Sequence, residues 1–488
     1  MKPAQFMLTA LLVALPQAIR AADAPPSASR PSIVFVLADD LGWADLGVQG
    51  SHYYETPHID RLAAQGMRLT CYHNCQNCAP TRAALISGQY APRTGVYTVG
   101  GIGRFAWQTR PLRPVDNVEN LPLDKITIAQ SLKTAGYVTG LFGKWHLGQQ
   151  GDYHPGRRGF DEAVVSMGKH FDFATSPRTA YPPGQYLADF LTDQAVDFIR
   201  RHKDRPFFLY LPHFAVHTPL DAKPELIDKF KTKPPAGGHR NPTYAAMIAS
   251  VDASVGRVLA TLDELKLAER TVVIFSSDNG GVGGYAREGL GTDSNDITDN
   301  APLRSGKGSL YEGGTRDPFI VRWPGVTRHG STCDAPAIHV DLYPTLLEIA
   351  GAEPPAGYAL DGESLVPLFR GAGDSSQRRP IYQHFPGYLG MGRDHWRTTP
   401  VGLIHAGDWK LMEFFEDGRL ELYNLRDDVG ETKNLASQMP EKAQELYAQL
   451  LAWRQAIQAP MPTPHKPETA PALKPKLGRK AKGKAKRG

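Results

Sequence analysis

The chain has 488 residues, 41% of them hydrophobic and 22% charged, with a formal net charge of +5; average apolar content and the lack of any run of transmembrane length exclude a membrane-spanning chain and indicate one large or two moderate globular domains. The positive charge is local, because residues 466–488 hold nine Lys and Arg against one Glu, which leaves −3 elsewhere and argues against a nucleic-acid partner. Four cysteines, at 71, 75, 78 and 333, are too few to frame the fold with disulfides.

Lys2, the apolar stretch from Phe6 to Leu15 and the small residues Ala22 and Ala24 predict a secretory signal over residues 1–24, hence a secreted or periplasmic protein. Short apolar runs then alternate with segments of helical period: strands are expected at Ile33–Ala38, Val138–Phe142, Phe207–Leu211, Thr271–Ser276 and Phe319–Arg322, and helices at His58–Gln65, Ile126–Ala135, Tyr186–Arg201 and Tyr244–Leu265. Strands this continuously apolar are buried on both faces, which makes the fold class α/β, a large mixed sheet sandwiched by helices. A Pro- and Gly-rich stretch at 353–357 ends a main domain over 25–355. Beyond it, strand-like Trp409–Phe415 and Arg419–Tyr423 and helix-like Glu441–Gln455 predict a smaller C-terminal subdomain over 356–460, antiparallel sheet plus helix. The Lys-, Pro- and Ala-rich residues 461–488 read as a disordered basic tail.

Chemistry gathers where the strands end. The first runs into Asp39-Asp40 and the fourth into Asp278-Asn279; ligands bind at carboxyl ends of strands in α/β sheets, and oxygen-only donors point to calcium or magnesium. Taken singly, each acidic turn reads equally as an ordinary strand cap. The second strand leads to Lys144 and His146, which in extended backbone point the same way. After the third come His213 and His217, and Lys307 sits on a glycine-flanked loop that departs from a Walker motif. Cys78-Ala79-Pro80-Thr81-Arg82 places a thiol, a proline and a fixed cation within one turn, with Pro80 expected to start a helix whose positive end faces Cys78. Two other readings of Cys78 stay open, a small buried hydrophobe and a redox pair with Cys75.

C-x-P-x-R followed by an apolar pair and a glycine, together with the Gly143–Gly148 stretch, resembles the two signatures of type I sulfatases in the alkaline-phosphatase superfamily, and the likeness runs from about Pro31 to Leu435. That resemblance implies an arylsulfatase-like sulfuric ester hydrolase in which a maturation enzyme oxidises Cys78 to formylglycine, whose hydrate attacks sulfur. It further implies that Asp39, Asp40, Asp278, Asn279 and residue 78 ligate one divalent cation, calcium before magnesium. Arg82 would hold the formylglycine hydroxyl, Lys144 and Lys307 the sulfate, His146 would take the proton that drives sulfate release, and His217, chosen over His213, would serve the leaving oxygen. A sulfated carbohydrate is the implied substrate, with a phosphatase or phosphonate-ester hydrolase, or a non-catalytic glycan-binding relative, as alternatives on the same fold. Arg104, Trp107, Arg110 and Arg113 either contact such a sugar or form a packed loop with solvated arginines.

Overall fold

The structure is a computed structural model and describes residues 30–290, 296–371, 378–390 and 395–468. The expected signal over 1–24 and the tail beyond 468 lie outside the described residues.

Eight strands form the central sheet: β1 (Ser32–Ala38), β2 (Met67–Leu69), β3 (Val138–Gly143), β4 (Glu162–Val165), β5 (Phe207–Pro212), β6 (Thr271–Ser277), β7 (Phe319–Arg322) and β8 (Ser331–Cys333). Their order is β8-β2-β7-β6-β1-β5-β3-β4, parallel except where β7 pairs with β2 and β6. Alternation along β1 feeds two cores. Val34, Val36 and Ala38 pack under helices α1 (Pro57–Ala64), α4 (Leu187–Arg201) and α5 (Pro242–Glu264), whereas Ile33, Phe35 and Leu37 pack under α2 (Cys78–Ser87), α3 (Ile128–Thr134) and α6 (Leu342–Ala350). Local chemistry sets the helix starts: Thr127 and Gln130 form a capping box before α3, and Asn241 caps α5 ahead of Pro242.

Several expectations need correction. Helix α2 starts at Cys78, not Pro80, with Asn77 extended before it; a proline in the first turn removes no hydrogen bond, because those N–H groups have no partner within the helix. Contrary to the composition reading, α5 is long and apolar enough to cross a membrane, but 78% of its most apolar window is buried in the protein, so it is a core helix. The main domain also extends past 355, since Leu365, Val366, Leu368 and Phe369 return to the second core. Finally, the tail does not lose order at 461: Thr463–Pro464 pairs with Leu112–Arg113, and the N–H of Glu468 reaches the carbonyl of Gln108 at 2.8 Å. Backbone pairing of this kind leaves no trace in a hydrophobicity pattern.

The C-terminal subdomain is a four-stranded antiparallel meander, β9 (Ile381–Phe385), β10 (Val401–Ala406), β11 (Trp409–Phe414) and β12 (Leu420–Asn424), with helix α7 (Pro440–Ala456) on one face. Its other face packs on Ala91, Tyr97 and Leu310 of the main domain. The junction is tied by Lys410, which lies 2.8 Å from both Glu312 and Glu431, all three buried. Burial works against charge on Glu312, but Lys410 and His73 outweigh it and lower its pKa. Burial, helped by the neighbouring Glu312, instead pushes Glu431 up from 4.5 to about 7 despite Lys410.

A carboxyl raised in the folded state stabilises the fold below its unfolded pKa and loses that contribution as pH rises through its folded one. Wild-type stability in urea therefore carries a component that falls between pH 4.5 and about 7, and Glu431→Gln is expected to remove that component; a pH series of urea melts in which the two proteins keep the same slope would contradict the assignment.

Candidate active site

Strands β1 and β6 are adjacent, parallel and paired up to Ala38 and Ser277. The turns that follow therefore bring Asp39, Asp40, Asp278 and Asn279 together, each no more than 1% exposed. Asp40 adopts the left-handed region (φ 65°), its N–H donates to Asp278 Oδ1 at 3.2 Å, and Asn279 Nδ2 donates to Asp40 Oδ1 at 2.9 Å. Three cations hold these acids. Arg82, one turn into α2, makes a fork on Asp278 Oδ2 from Nε (2.9 Å) and Nη2 (2.7 Å). Lys144 donates to Asp39 at 2.6 Å and Lys307 to Asp40 at 2.6 Å. Lys144 reaches this place because Gly143 (φ 139°) lies so close to β5 that a Cβ there would meet the Pro212 carbonyl at 1.9 Å.

Cys78, the first residue of α2, faces the same centre, with Lys307 Nζ 3.9 Å from its sulfur. Burial opposes ionisation of this thiol, yet Lys144 and Lys307 prevail, joined by a hydrogen bond from His146, and its pKa falls well below the ordinary value. Position 78 is thus built for negative charge. His217 Nε2 is 3.6 Å from Asp40 Oδ2; burial pulls its pKa down, but Asp40 and Asp39 push it up to about 9. Cys78, Lys144, His146, His217 and Lys307 all line one cavity of about 360 Å³.

The donor set fits a hard divalent cation. Asp39 Oδ1 and Asn279 Oδ1 are buried without a hydrogen-bond partner, and ligand atoms of Asp39, Asp40, Cys78 and His217 lie within 4.8 Å of one another. Burial and the repulsion of Asp39 raise the pKa of Asp278 even against Arg82, a strain that a bound cation would relieve.

Every site residue expected from the sequence converges here. The competitors do not: His213 is fully buried, bonded to Ser254 Oγ at 2.9 Å and pushed down to about 4 by burial. Cys75 sits 2.9 Å from His339, is pushed up to about 12 by burial, and forms no disulfide with Cys78. Of the four loop residues singled out in the sequence, Arg104 alone lines the cavity; Trp107 packs edge-on to His465, Arg110 pairs with Glu416 and Arg113 with Asp116. Sequence reasoning missed Asn74, whose amide ties the Ser277 carbonyl (2.8 Å) to Asp317 (2.9 Å) behind the metal-type turn, and Arg397, which lines the cavity from the C-terminal subdomain. The side chain of Asn74 is legible only once the strands are paired, and Arg397 carries no motif.

Known proteins resemble the chain over most of its length. The sulfatase family model matches residues 31–352, and the model of the N-sulphoglucosamine sulphohydrolase C-terminal region matches 306–457. A sulfatase of Formosa agariphila is 35% identical over 87% of this chain and 88% of its own length, and the N-acetylgalactosamine-6-sulfatase of Homo sapiens 34% identical over 75% and 72%. The crystal structure of Ps i-CgsB in complex with k-i-k-neocarrahexaose superposes with a TM-score of 0.74 at 28% identity, covering 90% of this chain and 96% of that one. A phosphonate monoester hydrolase of Agrobacterium radiobacter shares the fold at 18% identity, covering 90% of this chain and 100% of that one, with a TM-score of 0.65.

Removing one partner of a buried ion pair leaves an uncompensated charge and destabilises by about 3–5 kcal/mol. Arg82→Ala should lower stability by that order in urea melts with EDTA present, and Arg82→Lys, which keeps the charge but not the fork, by less. Unchanged midpoints would mean that Asp278 does not depend on the guanidinium.

Proposed function

The chain belongs to the sulfatase family and is a sulfuric ester hydrolase, and on that premise we propose that it cleaves a sulfate monoester of a sulfated carbohydrate, using Cys78 in its formylglycine form and one divalent cation, calcium, held by Asp39, Asp40, Asp278, Asn279 and residue 78. The observation that carries this reading is the placement of position 78 at the positive end of α2, under Lys144 and Lys307, beside oxygens that have no partner. The sugar assignment is supported by relatives named for N-acetylgalactosamine 6-sulfate hydrolysis and by the structural neighbour bound to a neocarrahexaose.

The bound cation supplies positive charge against oxygen, and the aldehyde, as its hydrate, supplies the hydroxyl that attacks sulfur. The chain's own residues do the rest. Lys144 and Lys307 already flank position 78 and hold the oxygens of a sulfate brought there. Arg82, fixed on Asp278, favours that acid's ionised form and adds positive charge behind residue 78. His217, at the cavity wall near Asp40, gives its proton to the leaving sugar oxygen, assisted by Lys307. His146, hydrogen-bonded to position 78, takes the proton whose removal expels sulfate. Lys2, the apolar stretch Phe6–Leu15 and the small residues at 22 and 24 support export to the periplasm or medium, and the C-x-P-x-R motif supports a formylglycine-generating enzyme as partner.

Mass spectrometry of the Cys78 peptide from a host with a maturing enzyme should find an aldehyde, and Cys78→Ala should abolish sulfate release from an aryl sulfate; an unmodified thiol in active protein, or an active alanine variant, would refute the reading. Faster turnover of the matching phosphate ester would favour the phosphatase alternative. After chelation, calcium at a hundredfold excess over its Kd should raise stability by about 2.7 kcal/mol, with magnesium run in parallel to identify the ion. Asp40→Asn should suppress the gain.

A further inference from the structure

The outer wall of the cavity carries two arginines that the chemistry above leaves unused. Arg397 comes from the C-terminal subdomain and Arg104 from the loop before Leu112, and both line the cavity that holds Cys78, Lys144 and Lys307. Each cation at the reacting centre already has a carboxylate: Arg82 has Asp278, Lys144 has Asp39 and Lys307 has Asp40. Neither Arg397 nor Arg104 forms an ion pair among the described residues.

Arg397 is seated rather than loose. Its guanidinium stacks 4.5 Å over the ring of Tyr285, whose hydroxyl donates to the Lys307 carbonyl at 2.7 Å, and its own Nη1 reaches that carbonyl at 3.5 Å. Gly308 (φ 89°) makes room for it, because a Cβ there would meet Arg397 Cδ at 2.9 Å. Its Nε is buried with no hydrogen-bond partner. Arg104 is exposed, lies 5.2 Å over the Phe105 ring and donates to the Val99 carbonyl at 3.1 Å. A half-buried guanidinium that is held by stacking, lines the cavity and has no carboxylate partner among the described residues is a fork for a planar or tetrahedral oxyanion. A neutral sugar hydroxyl can accept a hydrogen bond from it but leaves its positive charge unmatched.

Resting on the sulfatase reading above, we infer that Arg397, assisted by Arg104, forms a second anion subsite, so that the preferred substrate bears another negative group, a second sulfate or a carboxylate, besides the ester that is cleaved. The apolar parts of the wall, Phe105, Met167 and Leu389, leave the two arginines to read that charge.

The test compares wild type, Arg397→Gln and Arg397→Lys on three substrates: a singly sulfated N-acetylhexosamine, D-glucosamine 2-N,6-O-disulfate, and a singly sulfated disaccharide containing a hexuronate. Wild type should prefer one doubly anionic substrate, and which one identifies the second group as sulfate or carboxylate. A charge-assisted hydrogen bond is worth about 10- to 100-fold, so Arg397→Gln should reduce the ratio of kcat/KM for that substrate over the singly charged one by this factor, and Arg397→Lys should fall between. No preference in wild type, or the same proportional loss on all three substrates, would overturn the subsite. If wild type cleaves none of them, the proposed substrate reading fails, and titration calorimetry decides the subsite separately: the disulfated sugar should bind the Gln variant at least about tenfold more weakly than wild type, and equal affinity would reject it.

Discussion

Because β1 and β6 run side by side in the same direction, Asp39, Asp40 and Asp278 leave the sheet at one point, and three carboxylates so placed in a water-poor interior repel one another. The remaining geometry answers that repulsion. Arg82, Lys144 and Lys307 come from three separate segments, each directed at one acid, and none of the acids lies where water could screen it. The same cations set the potential at position 78. What binds the acids and what favours negative charge at position 78 are therefore one arrangement.

The two parts of the protein contribute differently to the cavity. Its floor, with Cys78, Lys144 and His217, comes from the ends of the large sheet and from α2, whereas Leu389 and Arg397 on its rim come from the C-terminal subdomain. The rim is not a free flap, since Lys410 ties the meander to Glu312 and the neighbouring strands bury Leu403, Met412 and Phe414 against the main domain. Floor and rim of the cavity are thus supplied by different stretches of chain held in fixed relation.

Much of this arrangement is legible in the order of the amino acids, and for identifiable reasons. The five expected strands and four expected helices of the main domain recur within a few residues, because uninterrupted apolar runs and a 3.6-residue period are direct imprints of burial. Asp39, Asp40, Lys144, Asp278 and Asn279 are legible because they follow strand ends, where α/β sheets gather ligands, and Cys78 and Arg82 because they share one short motif. What escapes depends on contacts distant in sequence. Whether Cys78 or Pro80 opens α2 is decided by hydrogen bonding that proline does not disturb, the docking of 463–464 on 112–113 is a backbone ladder, and the return of Leu365–Phe369 to the core reads as linker because a proline-rich stretch precedes it. Arg397 looks like any surface arginine until the cavity it shares with Arg104 is formed.

Cys78 exposes 2% of its surface, and the helix it opens is buried along its whole length. A cavity sized for a sugar admits small molecules, but no protein catalyst could grip the backbone around this residue once α2 has packed. If Cys78 is oxidised by an enzyme, as proposed, that enzyme must meet the nascent, extended chain. On the proposed chemistry, a molecule that folded before that meeting would keep its thiol, so the yield of working protein would be set by a race between two clocks rather than by stability.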